Sequence, residues 1–305
     1  MEQKKENKLH SLVHRLTSPR QGKERLGGAA FLGPSLLGVG LFYIIPFGVV
    51  VYYSLINNPI QREFVGLDNF VSLFKNAAFR QAARNTLTFS GIAVPAAVIL
   101  SLLLALALEC RIPAKSQLRT FFLSPLMVPV ASVVLIWQVL FHYNGVLNSV
   151  LGLVGDARID WFNSKWGMVP VVLLYLWKNL GYNMILFMAA LANIPRDLLE
   201  VATIEGASPA YRFFAIKLRY LSPTLLFVTI FSMINSFKVF REVYLLTGDY
   251  PYETLYMLQH YMNNMFERLD YQKLSAAAVI MAIALVIIIA LLFYAENRFG
   301  KDVEG

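Results

Sequence analysis

A row of polar side chains interrupts one of the long apolar runs of this sequence. Tyr175, Lys178, Asn179 and Tyr182 follow one another at the i, i+3, i+4 and i+7 spacing of one helix face, with Asn183 beside them. Polar groups inside such a run need partners or a water-lined cavity, because they are costly to place in hydrocarbon. Amide and hydroxyl groups in this pattern can hydrogen-bond a polar solute, and they can equally bind a neighbouring helix.

A second apolar run carries a shorter polar row, made by Ser232, Asn235 and Ser236. Three charged residues follow near the end of the same run: Lys238, Arg241 and Glu242. Two interpretations of both rows stay open. In the first, a substrate pathway is lined by Tyr175, Asn179, Tyr182, Asn183, Ser232 and Asn235. In the second, the rows join helices, and Lys238 and Glu242 form an interfacial i, i+4 ion pair.

No spacing typical of a catalytic or metal site accompanies these rows. The sequence contains no GxxxxGK[ST] phosphate loop and no CxxC or HExxH motif. Its four histidines are scattered, and its single cysteine, Cys110, has no partner. We therefore expect no catalytic residue and no metal ligand in this chain.

The composition requires lipid as part of the surroundings. Hydrophobic residues make up 57% of the 305 residues and charged residues only 15%, whereas a soluble domain carries about 25% charged residues. Disordered, collagen-like and disulfide-rich classes are excluded by the same composition. The net charge of +8, in so apolar a chain, indicates loops beside anionic lipid rather than a nucleic-acid partner.

Six apolar runs are long enough to cross a bilayer, since a spanning helix needs roughly 20 residues. The predicted spans are 29–56, 87–108, 120–141, 168–193, 221–246 and 274–295. Pro34 and Pro46 should kink the first of them. The predicted fold class is all-α, a polytopic membrane protein with six transmembrane helices.

The distribution of Lys and Arg predicts the orientation. With a cytoplasmic N-terminus, the inner segments hold 16 of these residues and the outer segments 8, over similar lengths, which places both termini in the cytoplasm. The tail 1–28 is too polar for a cleaved signal peptide. The expected organisation is a cytoplasmic tail 1–28, a first helix and external loop 29–82, a core 83–296 with helices 2–6, and a cytoplasmic tail 297–305.

The inner loop at about 195–220, between helices 4 and 5, predicts two short helices joined by a glycine. Asp197 and Glu200 have the spacing of a capping box, Gly206 can end the first helix in a left-handed conformation, and Ser208-Pro209 can start the second. The apolar residues expected on one face of the first helix are Leu198, Val201 and Ala202. Such an elbow either lies on the headgroups or fits a groove on a partner protein.

This loop resembles the EAA loop of binding-protein-dependent ABC importer permeases. Residues 200–218 read Glu-Val-Ala, three residues, Gly, nine residues, Ile-x-Leu, and the family pattern is EAA, three residues, G, nine residues, I-x-L-P. Val201 replaces the middle Ala, and Arg219 stands where the family has Pro. The glycine and the spacing are kept.

The flanking segments resemble the carbohydrate, maltose-type group of these permeases, and the resemblance covers roughly residues 31–297. They are Phe121-Phe122-Leu123-Ser124-Pro125, Trp177-x-x-x-Gly181-Tyr182, Ala190-Leu191-x-x-Ile194-Pro195 and Ser236-Phe237-Lys238-Val239-Phe240. The resemblance implies a permease subunit of an ATP-driven importer for a sugar or oligosaccharide, in the cell membrane of a prokaryote.

The resemblance also implies partners. This chain would form half of a translocation pathway with a second homologous permease, in a heterodimer. Two ATPase subunits would bind ATP and Mg, so that this chain would need no cofactor and would not itself be an enzyme. An extracytoplasmic solute-binding protein would deliver the substrate. The loop would couple the ATPase to the pathway through Glu200, Ala202, Glu205, Gly206 and Ser208.

Three other functions stay open at this point. The first is an ABC permease for another small solute, such as an amino acid, a polyamine or phosphate. The second is a secondary transporter working alone, although no inverted repeat of the kind found in many such transporters is visible. The third is a polytopic membrane enzyme, for which the sequence shows no cluster of His, Asp and Glu.

Overall fold

The computed structural model describes residues 31–109, 113–155 and 158–299. This part of the chain is helical throughout, apart from turns, connecting loops and one isolated bridge between Ile56 and Phe64. Five helices are long and apolar enough to cross a membrane, and a bent pair makes a sixth candidate. The prediction of an all-α protein with six membrane spans is confirmed. The tail 1–28, Cys110 and residues 300–305 lie outside the described residues.

We number the spans in chain order. Span 1 is Phe31–Ser54, span 2 Ala77–Glu109, span 3 the bent pair Lys115–Met127 and Val130–Phe141, span 4 Met168–Ala192, span 5 Ser222–Thr247 and span 6 Tyr271–Phe299. Shorter helices connect them: Asp68–Lys75, Val146–Val154, Arg196–Ile204, Glu253–Leu255 and Leu258–Glu267, with a mixed α and π stretch over 209–220.

Span 1 accommodates its prolines without a break. The helix continues through Pro34, and the turn Gly40–Ile44 widens into a π-helix just before Pro46. There the Ile45 N–H donates to the Gly40 carbonyl, five residues back. A π-turn re-pairs backbone groups that a proline leaves without their usual partner. The kink predicted at Pro46 therefore takes the form of a local widening.

The prediction of one continuous third span over 120–141 is wrong. The helix axis bends by 101° between its two halves. Pro125 lies at the start of a short 3-10 turn, and Val128 and Pro129 are extended, with ψ of 128° and 138°. A residue before proline is pushed out of the helical region, and proline supplies no backbone donor. Two prolines four residues apart therefore turn the chain sharply inside an otherwise apolar run.

Spans 2 and 4 pack along each other and form the centre of the fold. Their shared core includes Val98, Ala105, Met184 and Phe187, all buried. Span 2 begins about ten residues before the predicted position, because the more polar residues 77–86 continue the helix beyond the apolar run. A long, buried central pair gives the neighbouring polar rows a rigid support.

Gly181 sets how closely span 3 approaches span 4. A β-carbon at this position would lie 1.8 Å from the Phe122 carbonyl oxygen. Only glycine leaves room for the two backbones at this contact. The first half of span 3 therefore crosses span 4 within its polar row, between Asn179 and Tyr182.

Candidate functional site

A cavity of about 460 Å³ lies between spans 4 and 5, beside the bend of span 3. We call it the central cavity. Of the predicted pathway residues, it is lined by Tyr175, Asn179, Tyr182 and Asn235. The charged residues on its wall are Lys178, Lys238, Arg241 and Glu242, and its apolar wall includes Leu126, Leu174, Phe231 and Val239. The structure thus brings both polar rows to one space.

An ion pair joins spans 4 and 5 on the wall of this cavity. Lys178 donates to Oε1 of Glu242, whose side chain is only 5% exposed. The second carboxylate oxygen of Glu242 is buried and has no hydrogen-bond partner in the described part of the chain. Arg241 lies further away, with its Nη2 3.8 Å from the same Oε1. The i, i+4 pair expected between Lys238 and Glu242 is therefore wrong, because Glu242 binds the neighbouring span instead.

Two of the predicted pathway residues lie in the contact between the helices. Asn183 donates to the Ser232 hydroxyl at 2.9 Å, and the Tyr175 hydroxyl donates to the Ser232 carbonyl at 2.6 Å. Asn183 and Ser232 are buried and do not line the central cavity. Tyr175 belongs to the helix contact and also lines the cavity, because its hydroxyl donates to span 5 and the residue borders the cavity. The second interpretation of the polar rows thus describes these bonds better.

The remaining amides are fixed by their neighbours. Asn235 donates to the Asn179 side-chain oxygen at 3.0 Å, and Asn179 donates to the Tyr175 carbonyl at 2.8 Å. Next to them the rings of Tyr182 and Phe231 lie 4.9 Å apart, tilted by 39°. Preorganised amides beside an aromatic pair can bind a solute that has both hydroxyl groups and apolar faces. These amides and rings include no nucleophile with an adjacent base.

Four cavity residues escaped the sequence analysis: Leu126, Leu174, Phe231 and Val239. Phe231 precedes Asn235 by one helical turn, so the polar row of span 5 could have been extended to it. Leu126 and Val239 line the cavity at points where their spans are interrupted. No periodic pattern indicates a residue placed by a helix break.

The loop after span 4 forms the predicted elbow. Helix Arg196–Ile204 ends at Gly206, whose φ is +81°. The Gly206 N–H donates to the Thr203 carbonyl at 3.1 Å, and the Ala207 N–H donates to the Ala202 carbonyl at 2.9 Å. This pair of bonds is the Schellman motif, which requires a left-handed residue at the glycine position. The predicted left-handed conformation of Gly206 is confirmed.

Side chains stiffen the elbow on its second helix. The Ser208 hydroxyl accepts from the Tyr211 N–H at 3.2 Å, as predicted for an N-cap with Pro209 following. Arg212 donates to the Thr203 hydroxyl at 2.5 Å and so links the second helix to the first. The elbow is therefore held by backbone and side-chain bonds on both sides of the glycine.

The predicted start of the first elbow helix is wrong. Its N-cap position is Pro195, which forms no side-chain cap hydrogen bond, and Asp197 lies within the first turn. Asp197 and Glu200 are therefore both inside the helix and exposed, so they cannot form the capping box. Asp197 still suits this place, because an acidic residue in the first turn complements the helix dipole.

The elbow helix presents apolar side chains outward. Ala202 is buried, and Leu199 packs against the core of spans 2 and 4. Leu198, Val201 and Ile204 are 41%, 52% and 85% exposed. The predicted shared face of Leu198, Val201 and Ala202 is thus divided between core and surface. We call Leu198, Val201 and Ile204, with the exposed Tyr211 and Phe214 of the following helix, the elbow surface.

The fold and the site together define a class of membrane protein. Three apolar spans border a partly polar cavity in which no catalytic constellation is described, and an elbow presents exposed apolar side chains after the end of span 4. This is the architecture of a membrane transport subunit. The chain belongs to the family of binding-protein-dependent transport system inner membrane components, whose family model matches residues 98–304.

Curated relatives agree with this assignment. The sulfoquinovosyl glycerol transport system permease protein SmoG of Agrobacterium fabrum is 32% identical over 265 residues, covering 85% of this chain and 86% of that protein. The sn-glycerol-3-phosphate permease protein UgpA of Pectobacterium atrosepticum is 32% identical, covering 83% and 88%. The trehalose/maltose permease protein MalF of Thermococcus litoralis is 29% identical, covering 94% and 99%.

Solved structures show the same fold. A bacterial ABC transporter involved in the import of the acidic polysaccharide alginate has a chain that superposes with a TM-score of 0.77 at 22% identity, covering 92% of this chain and 98% of that one. A second structure of the alginate transporter, in complex with a periplasmic protein bound to an alginate pentasaccharide, gives a TM-score of 0.78.

Proposed function

We propose that this chain is the permease subunit of an ATP-driven importer for a sugar or oligosaccharide. The observation that carries the proposal is the central cavity, where fixed amides and a ring pair suit the hydroxyl groups and apolar faces of a saccharide. Relatives named for trehalose and maltose and for sulfoquinovosyl glycerol support it. In this proposal Tyr175, Asn179, Tyr182 and Asn235 border the pathway, whereas Asn183 and Ser232 position it.

The elbow surface is the proposed docking site for the ATPase. Its exposed apolar residues suit a groove on a cytoplasmic subunit, and the bonds at Gly206 and Arg212 allow a push on the elbow to reach spans 4 and 5 as a rigid-body motion. Glu200, Glu205 and Ser208 lie exposed on the same elbow. In this mechanism ATP and Mg are bound by the ATPase subunits, so this chain transmits a movement and catalyses no chemical step.

The remaining proposed partners are a second homologous permease and an extracytoplasmic solute-binding protein. Complex formation between the related alginate transporter and a periplasmic protein supports the second of these. The proposed location is the inner or plasma membrane of a prokaryote, with both termini and the elbow cytoplasmic.

Thiol labelling tests the orientation. Single cysteines at Asn69, Asn163 and Asp249, in a Cys110→Ser background, should react with an impermeant reagent added outside sealed cells. A cysteine at Glu200 should react only after the membrane is opened. Labelling of position 200 from outside would reverse the proposed topology.

Reconstitution tests the transport mode. Liposomes that contain this chain alone should show no sugar flux under any ion gradient, because the proposed energy source lies on another subunit. Liposomes that also contain the second permease, the ATPase subunits and the binding protein should take up sugar when ATP is supplied. Flux through the single chain would favour a secondary transporter instead.

A second candidate substrate class is a small anionic solute. The sn-glycerol-3-phosphate relative favours it, and so do the cationic side chains of Lys238 and Arg241 on the cavity wall. A binding screen with the cognate binding protein, comparing neutral sugars, sugar acids and organic phosphates, separates the two candidates. Binding of amino acids or polyamines alone would exclude both.

A further inference from the structure

A second cavity, of about 280 Å³, lies where three of the spans end. We call it the basic cavity. Its polar wall is formed by Glu109 at the end of span 2, by Lys115 and Arg119 at the start of span 3, and by Arg196 just after span 4. None of these residues borders the central cavity, and none belongs to the elbow surface.

The charges of this cavity do not cancel. Its one carboxylate, Glu109, accepts from the Lys217 Nζ at 2.6 Å, so it is already neutralised from outside the cavity. Lys115, Arg119 and Arg196 form no ion pair within the described residues. The Nε of Arg119 is buried and has no hydrogen-bond partner there. Three cations therefore face one small space that holds no unpaired anion, and a buried guanidinium donor is costly to leave unpaired.

The floor of the same cavity is apolar. Leu191 and Ile194 are 6% exposed each, and Ala105 is fully buried. The site thus combines cationic walls with an apolar base, at the ends of helices that are long enough to span a bilayer. At the end of a span the hydrocarbon gives way to the headgroup layer. An amphipathic anion matches this combination, whereas a small inorganic anion matches only the walls.

We propose that the basic cavity binds the phosphate of an anionic phospholipid such as phosphatidylglycerol, with the glycerol ester region of the lipid over Leu191 and Ile194. The planar guanidinium groups of Arg119 and Arg196 suit a phosphate, because each can donate two parallel hydrogen bonds. Basic pockets between membrane helices bind anionic headgroups by the same chemistry. The site requires neither a particular solute nor a particular orientation of the chain.

Native mass spectrometry of the full-length chain in mild detergent tests this site. Dioleoyl phosphatidylglycerol should remain bound as one lipid per chain under conditions that remove dioleoyl phosphatidylcholine, since the two have identical acyl chains. The double variant Lys115→Gln/Arg119→Gln should bind this phosphatidylglycerol about tenfold more weakly, because hydrogen bonds to a charged group are lost. The variant Arg196→Gln, which changes an exposed residue and leaves Arg119 in place, should weaken binding in the same direction.

A matched control is available at the other end of span 2. Arg80 and Arg84 line another cavity, together with Lys165 and Glu253. The variant Arg80→Gln/Arg84→Gln removes the same charge and should keep the bound phosphatidylglycerol. Equal loss in this control would show unspecific attraction of lipid to positive charge and would overturn the site.

Three other results would also overturn the proposal. Equal retention of the two lipids would show that charge plays no part. Displacement of phosphatidylglycerol by inorganic phosphate at similar concentration would show a free-anion site. Unchanged lipid binding in Lys115→Gln/Arg119→Gln and in Arg196→Gln, with loss of ATPase co-purification, would show that the cations serve a protein carboxylate.

Discussion

Gly206→Val is expected to separate assembly from folding in this protein. The glycine has a φ of +81°, and a β-carbon there would meet no atom within 4 Å. The cost is therefore backbone strain alone, about 1–2 kcal/mol for a residue with a β-carbon in the left-handed region. That amount lowers the population of the docking geometry about 5- to 30-fold. It is too local to prevent six packed spans from forming.

The assay is co-purification of the ATPase subunit with the tagged permease, beside ATP-dependent uptake and the amount of permease in the membrane. Gly206→Val should reach the membrane at a normal level, retain little ATPase and lose uptake. Gly155→Val is a matched control, because Gly155 ends helix Val146–Val154 with a φ of +92° and equally open surroundings. It should retain the ATPase. Full assembly and uptake by Gly206→Val, or equal loss of ATPase by Gly155→Val, would refute the coupling role of the elbow.

Four further outcomes are expected. Glu200→Lys should reach the membrane but co-purify poorly with the ATPase, because the substitution reverses a charge on the exposed elbow helix. Gly181→Ala should lower the thermal unfolding temperature in detergent, since its β-carbon would lie 1.8 Å from the Phe122 oxygen, whereas Gly91→Ala, in open space on span 2, should not. Lys178→Met should cost about 3 kcal/mol, because a buried carboxylate loses its hydrogen-bonded partner and keeps only Arg241 at 3.8 Å. Lys178→Met/Glu242→Gln should recover most of the lost stability; equal instability of both variants would contradict the ion pair. Burial lowers the pKa of His260 to about 4, below the ordinary 6.5. Between these pH values the unfolded chain binds more protons than the folded chain, so stability should fall as the pH drops from 6.5 towards 4. In thermal melts, His260→Gln should reduce this pH dependence.

The sequence predicts span number, the glycine elbow and part of the cavity because each depends on local properties. Apolar length fixes a span, left-handed φ at Gly206 favours glycine, and the 3.6 period places Asn179 and Tyr182 on one face. The bend of span 3 depends instead on two prolines, and the length of the apolar run alone does not predict their effect on the helix. A proline inside a membrane helix can be tolerated, as it is at Pro95 of span 2.

The partners of the polar side chains were harder to predict. Glu242 has Lys238 one turn away on its own helix, yet it binds Lys178 on span 4, because the packing of spans 4 and 5 brings the two side chains together. Asn183 and Asn235 look equivalent in sequence, but one is buried in the helix contact and the other borders the cavity. Which interpretation applies to such a residue depends on the rotation of each helix about its axis, which periodicity leaves free.

The bend of span 3 has a consequence for how this chain exists in a bilayer. A helix break leaves carbonyl and N–H groups that the helix itself cannot pair, and in hydrocarbon there is no water to replace the missing bonds. Leu126 and Met127, next to the break, are 52% and 86% exposed in the isolated chain. An irregular backbone at membrane depth is tolerated only against protein or beside a water-filled space. Leu126 at the break lines the central cavity, so the backbone groups freed by the bend require that cavity to hold water.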